Sequence, residues 1–198
     1  MRSWLRWLRR LVGAMGLALS RRERILTIKL RELQASDGVT YNAFFAGGAA
    51  AHPDTLRITP GDILAAPFST APRDDEATYA ALSSGRGVEE GPAVWMGVGT
   101  VQREAFREKR RHIAWILRMY VGQSFAGQGV GRVLLRALLA RAEDMPGVAK
   151  VNLTVAAHNA GAVRLYASEG FRVFAREGDA FRDPTPRDEL TMTRILRA

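Results

Sequence analysis

The chain has 198 residues, 47% of them hydrophobic, with a formal net charge of +9 and no cysteine. That length suits one domain hiding roughly 70% of its unfolded surface, and the missing thiols exclude disulfides, a thiolate nucleophile and cysteine-based metal sites. Three scattered histidines, His52, His112 and His158, form no metal-ligand pattern and read as surface residues.

The charge is uneven. Residues 1–24 hold Arg2, Arg6, Arg9, Arg10, Arg21, Arg22 and Arg24 against Glu23, which places +6 of the +9 there. High basicity is therefore a property of the start of the chain, and no nucleic-acid partner is expected for the rest. Residues 1–22 read as a basic extension and 23–198 as the folded domain. An amphipathic helix with Trp4, Leu8, Leu11, Val12 and Met15 opposite the arginines would suit an anionic membrane surface. A disordered or misassigned start is the competing reading. A secretory signal is disfavoured by Arg21 and Arg22 directly after Ser20, and the apolar run 11–19 is too short to span a bilayer.

Residues 25–33 alternate loosely and predict a first strand. Residues 41–52, rich in Ala and Phe and stopped by Pro53, predict a helix, and Thr59 followed by Pro60 predicts a capped helix running to Ala66. A polar linker at 72–76 leads to strands at 78–82 and 93–101 around a glycine-bearing loop at 85–91. Residues 103–111 form a basic connector, expected to be a solvated loop. Residues 112–121 are apolar on alternate and intervening positions, interrupted by Arg118, as befits a central strand covered on both faces. A glycine turn, a helix at 132–142, a strand at 151–155 and a helix started by Asn159 come next. Strands at 171–176 and 190–195 close the chain, joined by a loop at 177–188 whose Gly and Pro content suits substrate contact.

The chemistry concentrates between His112 and Phe171. Gly127, Gly129 and Gly131 stand where strand turns into helix; glycine accepts positive φ there and lets a large anion approach main-chain N–H groups. The helix start adds unpaired amides and partial positive charge, a cradle for pyrophosphate. A Walker loop is excluded because Gln128 and Gly129 follow Gly127 where Lys and Ser or Thr are needed. A dinucleotide fingerprint is excluded because the next strand ends in Val155, Ala156, Ala157 and His158, with no carboxylate for a ribose. Asn159 is a good N-cap and Gly170 a natural residue just past a helix end. Tyr166 reads by itself as a half-buried aromatic, with a phenol able to protonate a departing thiolate as the alternative.

These residues resemble the GNAT superfamily of acetyl-CoA-dependent N-acetyltransferases. The family helix pattern Asn-x-x-Ala-x-x-Leu-Tyr-x-x-x-Gly-Phe is met by Asn159, Ala162, Leu165, Tyr166, Gly170 and Phe171. The family loop pattern Arg/Gln-x-x-Gly-x-Gly/Ala is met at Gly129 and Gly131, with Ala126 at the position usually Arg or Gln. Since that loop works mainly through main-chain amides, Ala126 is expected to weaken the grip on the cosubstrate without abolishing it.

The resemblance implies a mixed α/β fold, a mostly antiparallel sheet of six to seven strands flanked by about four helices. It implies acetyl-CoA as cosubstrate, no metal, and direct transfer of acetyl to a primary amine without an acyl-enzyme. Cosubstrate binding falls to Met119, Tyr120 and Val121 on the central strand, to Ala126, Gly127, Gln128, Gly129, Val130, Gly131 and Arg132 in the loop, and to Asn159 and Tyr166. Tyr166 is the expected acid; Glu189 and Glu104 are the candidate bases beside a water chain. The acceptor pocket is expected from residues 40–67 and 177–189, and its amine, small molecule or peptide, is left open. The expected location is cytoplasmic; left open are peripheral contact at the inner membrane through residues 1–22, a monomer or homodimer, and a degenerate CoA-binding sensor or membrane-associated module as the alternative function.

Overall fold

A computed structural model of the chain describes residues 27–83 and 93–196. The basic extension and the 85–91 loop lie outside the described residues. Seven strands form one sheet: β1 (Ile28–Glu32), β2 (Glu76–Ser83), β3 (Val94–Arg103), β4 (Ile113–Val121), β5 (Lys150–Ala156), β6 (Arg172–Asp183) and β7 (Thr185–Ile195). Their order is β1-β2-β3-β4-β5-β7-β6, antiparallel except for the β4/β5 pair. This is the mixed, mostly antiparallel sheet expected.

Among the described residues four α-helices cover the sheet: α1 (Gly38–Ala51), α2 (Pro60–Ala65), α3 (Val130–Asp144) and α4 (Ala160–Ser168). On one face Tyr41, Phe45 and Ala49 of α1 and Ile63 of α2 bury against Ala80, Leu82 and Val98. On the other, Leu135, Leu138, Leu139 and Ala142 of α3 pack with Tyr166 of α4 over Val101, Ile116, Val151 and Leu153. The strand alternation that makes β4 apolar on both faces follows from this double cover. Thr59 caps α2 as its sequence promised: its Oγ1 accepts from the Asp62 amide at 3.2 Å, while Asp62 accepts from the Thr59 amide at 2.9 Å.

Two segments differ from expectation. Residues 177–188 form the outer half of a long β6/β7 hairpin, with Phe181 facing Arg187 and Arg182 facing Pro186. Gly178, Pro184 and Pro186 read as breakers in sequence, yet Pro186 lies where β7 has run past its last β5 partner, the Ala156/Glu189 pair, so no donor is required of it there. The 103–111 connector is folded around a buried anion: Glu104 accepts from Arg110 Nε and Nη2 at 2.6 and 2.7 Å and from Trp115 Nε1 at 2.7 Å. No helix among the described residues is long and apolar enough to cross a membrane.

The sheet opens at its centre. β4 pairs with β5 only from Ile113/Lys150 to Ile116/Leu153, after which β5 continues against β7 alone. At the same level the β3/β4 register slips between Val98 and Thr100, and Arg118 adopts φ 53°. An extra residue in a strand increases local twist and turns the next residues in a new direction; here it carries residues 119–121 away from β5. Arg118 is held in that left-handed conformation by Nη2 donating to Glu76 Oε1 at 2.8 Å and Nε to Thr100 Oγ1 at 3.3 Å, with Phe68 stacked 4.5 Å from the guanidinium.

Candidate active site

The parting of β4 and β5 leads into a cleft of about 670 Å³. Its floor is Met119, Tyr120 and Val121; one wall is the glycine turn and the start of α3, the other the first turns of α4. Gly127 and Gly129 have φ of 73° and 84°, and a Cβ at either would meet nothing within 4 Å. Glycine is thus required there by backbone angle, and the space above the turn stays open for a ligand. The amides of Gly127, Gly129, Gly131 and Arg132 find no protein acceptor among the described residues, as the first turn of a helix dictates. Several donors and the positive end of a 15-residue helix therefore converge on one side of the cleft. At Gly131 a Cβ would stand 3.2 Å from Leu165 Cδ2, so glycine also lets α3 approach α4.

Asn159 Oδ1 accepts from the Ala162 amide at 3.1 Å and starts α4. Gly170, at φ 90°, ends it, and the Phe171 amide returns to the Tyr166 carbonyl at 3.0 Å. Between these stops Tyr166 is buried, its ring edge-on to Phe171 at 6.0 Å. Its hydroxyl donates to Met119 Sδ at 3.6 Å, and burial pushes the phenol up to about 12. A thioether is a weak acceptor, so this proton is firmly kept and lightly held in place.

A second, inner cavity of about 260 Å³ shares Thr55, Leu56, Met119 and Tyr166 with the cleft and extends across the gap toward β7. Glu189 lines it, buried, accepting from Arg57 Nη1 at 2.8 Å. Burial raises the Glu189 carboxyl above its ordinary range, and Arg57 opposes the shift in part.

Of the residues expected to bind the cosubstrate, the structure brings Met119, Tyr120, Val121, Ala126, Gly127, Gly129, Gly131, Arg132, Asn159 and Tyr166 to the lining of one cleft. Gln128 does not: its side chain donates to the Ser124 carbonyl at 2.7 Å. Val130 is turned into the core. Glu104 lines neither cavity, and its bonds to Arg110 and Trp115 hold its carboxyl down to about 2; the structure separates it from the site. From 177–188 no residue lines either cavity, so the expected contribution of 177–189 reduces to Glu189. The 40–67 segment expected to build the acceptor pocket supplies His52, Thr55, Leu56 and Arg57 from the loop after α1, none of them singled out by the sequence, and Phe125 before the glycine turn lay outside every expected segment. None carries a local signal; only the tertiary fold brings them in. No cluster able to hold a metal occurs among the described residues.

The family model described as "Acetyltransferase (GNAT) family" matches residues 61–171, more than half of the sequence. The chain belongs to the GNAT acetyltransferase family. Among curated proteins none matches this GNAT chain. Solved structures share its fold: a GNAT-family acetyltransferase from Streptococcus pneumoniae has TM-score 0.71 at 20% identity, covering 86% of this chain and 100% of that one. NAA60 of Arabidopsis thaliana in complex with acetyl-CoA has TM-score 0.66 at 19% identity, covering 87% and 100%. The putative acetyltransferase yncA of Salmonella typhimurium, solved with its cofactor acetyl-CoA, has TM-score 0.66 at 19% identity, covering 86% and 94%. At such identities the likeness is one of fold.

Proposed function

We propose that this GNAT protein is an N-acetyltransferase that takes the acetyl group of acetyl-CoA and passes it directly to a primary amine. The observation that carries the reading is the parting of β4 from β5 beyond Ile116 and Leu153, which puts an unpaired strand edge, a glycine-lined helix start and the Tyr166 hydroxyl around one cleft.

The cosubstrate fits that arrangement and supplies an activated acetyl thioester. The amides of Gly127, Gly129, Gly131 and Arg132 bind its pyrophosphate with main-chain donors, so Ala126 forfeits one side-chain contact and leaves the cradle intact. Main-chain groups of residues 117–121 on the edge facing β5 have lost their ladder partner and are available to the pantetheine arm and the thioester oxygen. Losing one donor to such an oxygen typically costs on the order of 10²-fold or more in rate. Glu189 accepts a proton from the acceptor ammonium, and the freed nitrogen lone pair forms the bond to the acetyl carbon as the carbonyl π pair moves to oxygen; the carbon–sulfur bond then breaks as Tyr166 gives its proton to sulfur, and the nitrogen's second proton passes to the Tyr166 oxygen, leaving a neutral amide and a thiol. Burial makes the Glu189 carboxyl a stronger base and keeps the Tyr166 phenol in its protonated form. No covalent enzyme intermediate enters, in keeping with a sequence that has no cysteine.

The test is a calorimetric titration with acetyl-CoA followed by thiol release across a panel of primary amines. Binding with amine-dependent release supports the assignment. Absence of heat overturns it, and binding without transfer to any amine points to a CoA sensor instead.

A further inference from the structure

Building on that assignment, we propose that the inner cavity is the acceptor pocket and selects a primary amine carried on a compact apolar body, its ammonium taken by Glu189 in exchange for Arg57. The cavity meets the cofactor cleft at Met119 and Tyr166, so a nitrogen placed there is next to the Tyr166 hydroxyl, with its substituent directed away from the cosubstrate. Its walls are Phe45, Ile58, Phe68, Ile116, Leu153 and Val155, and at about 260 Å³ it accommodates a ring or a branched alkyl group but not a long chain.

The charges lining it set the rest of the selection. Arg118 is committed to Glu76 at 2.8 Å and covered by Phe68. Glu189 is the one carboxylate lining the cavity among the described residues, and its partner is unequal to it: the Glu189 side chain is 8% exposed, that of Arg57 55%. The anion is fixed and the cation is a solvent-borne arm. An ammonium can replace that arm because Arg57 regains water when it leaves, whereas Glu189 stays paired throughout and is never buried alone. A single carboxylate serves a single ammonium, so a polyamine would carry its further charges against Phe and Leu with no partner, at a desolvation cost.

The experiment measures kcat/KM for phenethylamine, phenylalanine and a tripeptide beginning with Phe against ethylamine, glycinamide and spermidine. The first three distinguish a free amine, an amino acid and a peptide terminus as the source of one chemistry. The best of them should exceed ethylamine and glycinamide by about 100-fold, the order that apolar groups in a hydrophobic pocket deliver, and spermidine should be the poorest. Ile58→Trp, which fills the cavity from a surface loop, should cut the phenethylamine-to-ethylamine ratio at least about tenfold. Spermidine or glycinamide as the best acceptor, or an unchanged ratio in Ile58→Trp, overturns the proposal. Should no amine be acetylated, the catalytic assignment fails on its own, and phenethylamine binding to the CoA-loaded protein decides this one. Binding weakened about tenfold or more by Glu189→Gln upholds it; no binding, or equal binding by the variant, overturns it.

Discussion

The Tyr166 hydroxyl lies 3.6 Å from Met119 Sδ, so the one polar atom of a buried ring on α4 faces the strand that parts from its neighbour. Nothing else among the described residues competes for that proton, and burial keeps the phenol protonated up to about 12. Tyr166→Phe removes an oxygen whose hydrogen-bond partner is only a thioether, so folding and acetyl-CoA affinity are expected to stay close to wild type. Single-turnover acetyl transfer should slow by roughly 10² to 10⁴-fold. Equal single-turnover rates would remove Tyr166 from the chemistry.

Gly129 gives a way to separate backbone geometry from space. A methyl group there touches nothing within 4 Å, but φ is 84°, and a left-handed non-glycine residue costs about 1–2 kcal/mol. Gly129→Ala should therefore lower thermal stability by that order and weaken acetyl-CoA binding, because the turn relaxes away from the angle that aims its amides. An unchanged dissociation constant in calorimetry would show that the turn does not hold the pyrophosphate.

What the sequence disclosed and what it withheld divide along the range of the interactions. The β4-α3-β5-α4 core was legible because each stop is written locally: Gly129 at the helix start, Asn159 and Gly170 around α4, alternation along β4. Arg118 stood out as the lone charge in an apolar strand, yet its meaning depends on Glu76, 42 residues earlier. The Arg57–Glu189 pair spans 132 residues, and no local pattern announces it. Glu104 shows the opposite failure. A carboxylate at a strand end read as a candidate base, and its partners Arg110 and Trp115 made it part of the scaffold. The 177–188 segment was read from Gly and Pro content, which cannot tell a loop from a hairpin extending past the sheet.

The Glu76 carboxylate anchors the β4 irregularity. It pairs with Arg118 and Arg73 and accepts from Gln102 Nε2 at 2.9 Å, while the Arg118 side chain is 18% exposed. Glu76→Ala leaves Arg118 buried without its anion, a change that typically costs about 3–5 kcal/mol. Glu76→Gln keeps an oxygen for Arg118 and should lose less. In thermal melts of a chain this long the alanine variant should fall by roughly 2–4 °C per kcal/mol lost. If the bulge it supports shapes the cleft, KM for acetyl-CoA should rise in both variants in the same order as the melting losses. A destabilised Glu76→Ala with wild-type KM would show that the bulge holds its course without the ion pair.

Glu104 makes a prediction about acid. Its carboxyl is held down to about 2 in the folded chain, first by hydrogen bonds from Arg110 and then against the opposing effect of burial, from an ordinary value of 4.5. Because the folded value is the lower one, the unfolded chain takes up the proton first as pH drops. The stabilisation from Glu104 is therefore complete above about pH 4.5 and drains away between there and about pH 2. Glu104→Gln cannot titrate, so urea denaturation should find it less stable than wild type at neutral pH, with the gap closing across that acid window. Arg110→Met should narrow the same gap by removing the principal partner. A difference between wild type and Glu104→Gln that stays constant from neutral pH to pH 2 would mean that this carboxylate titrates alike in the folded and unfolded chain.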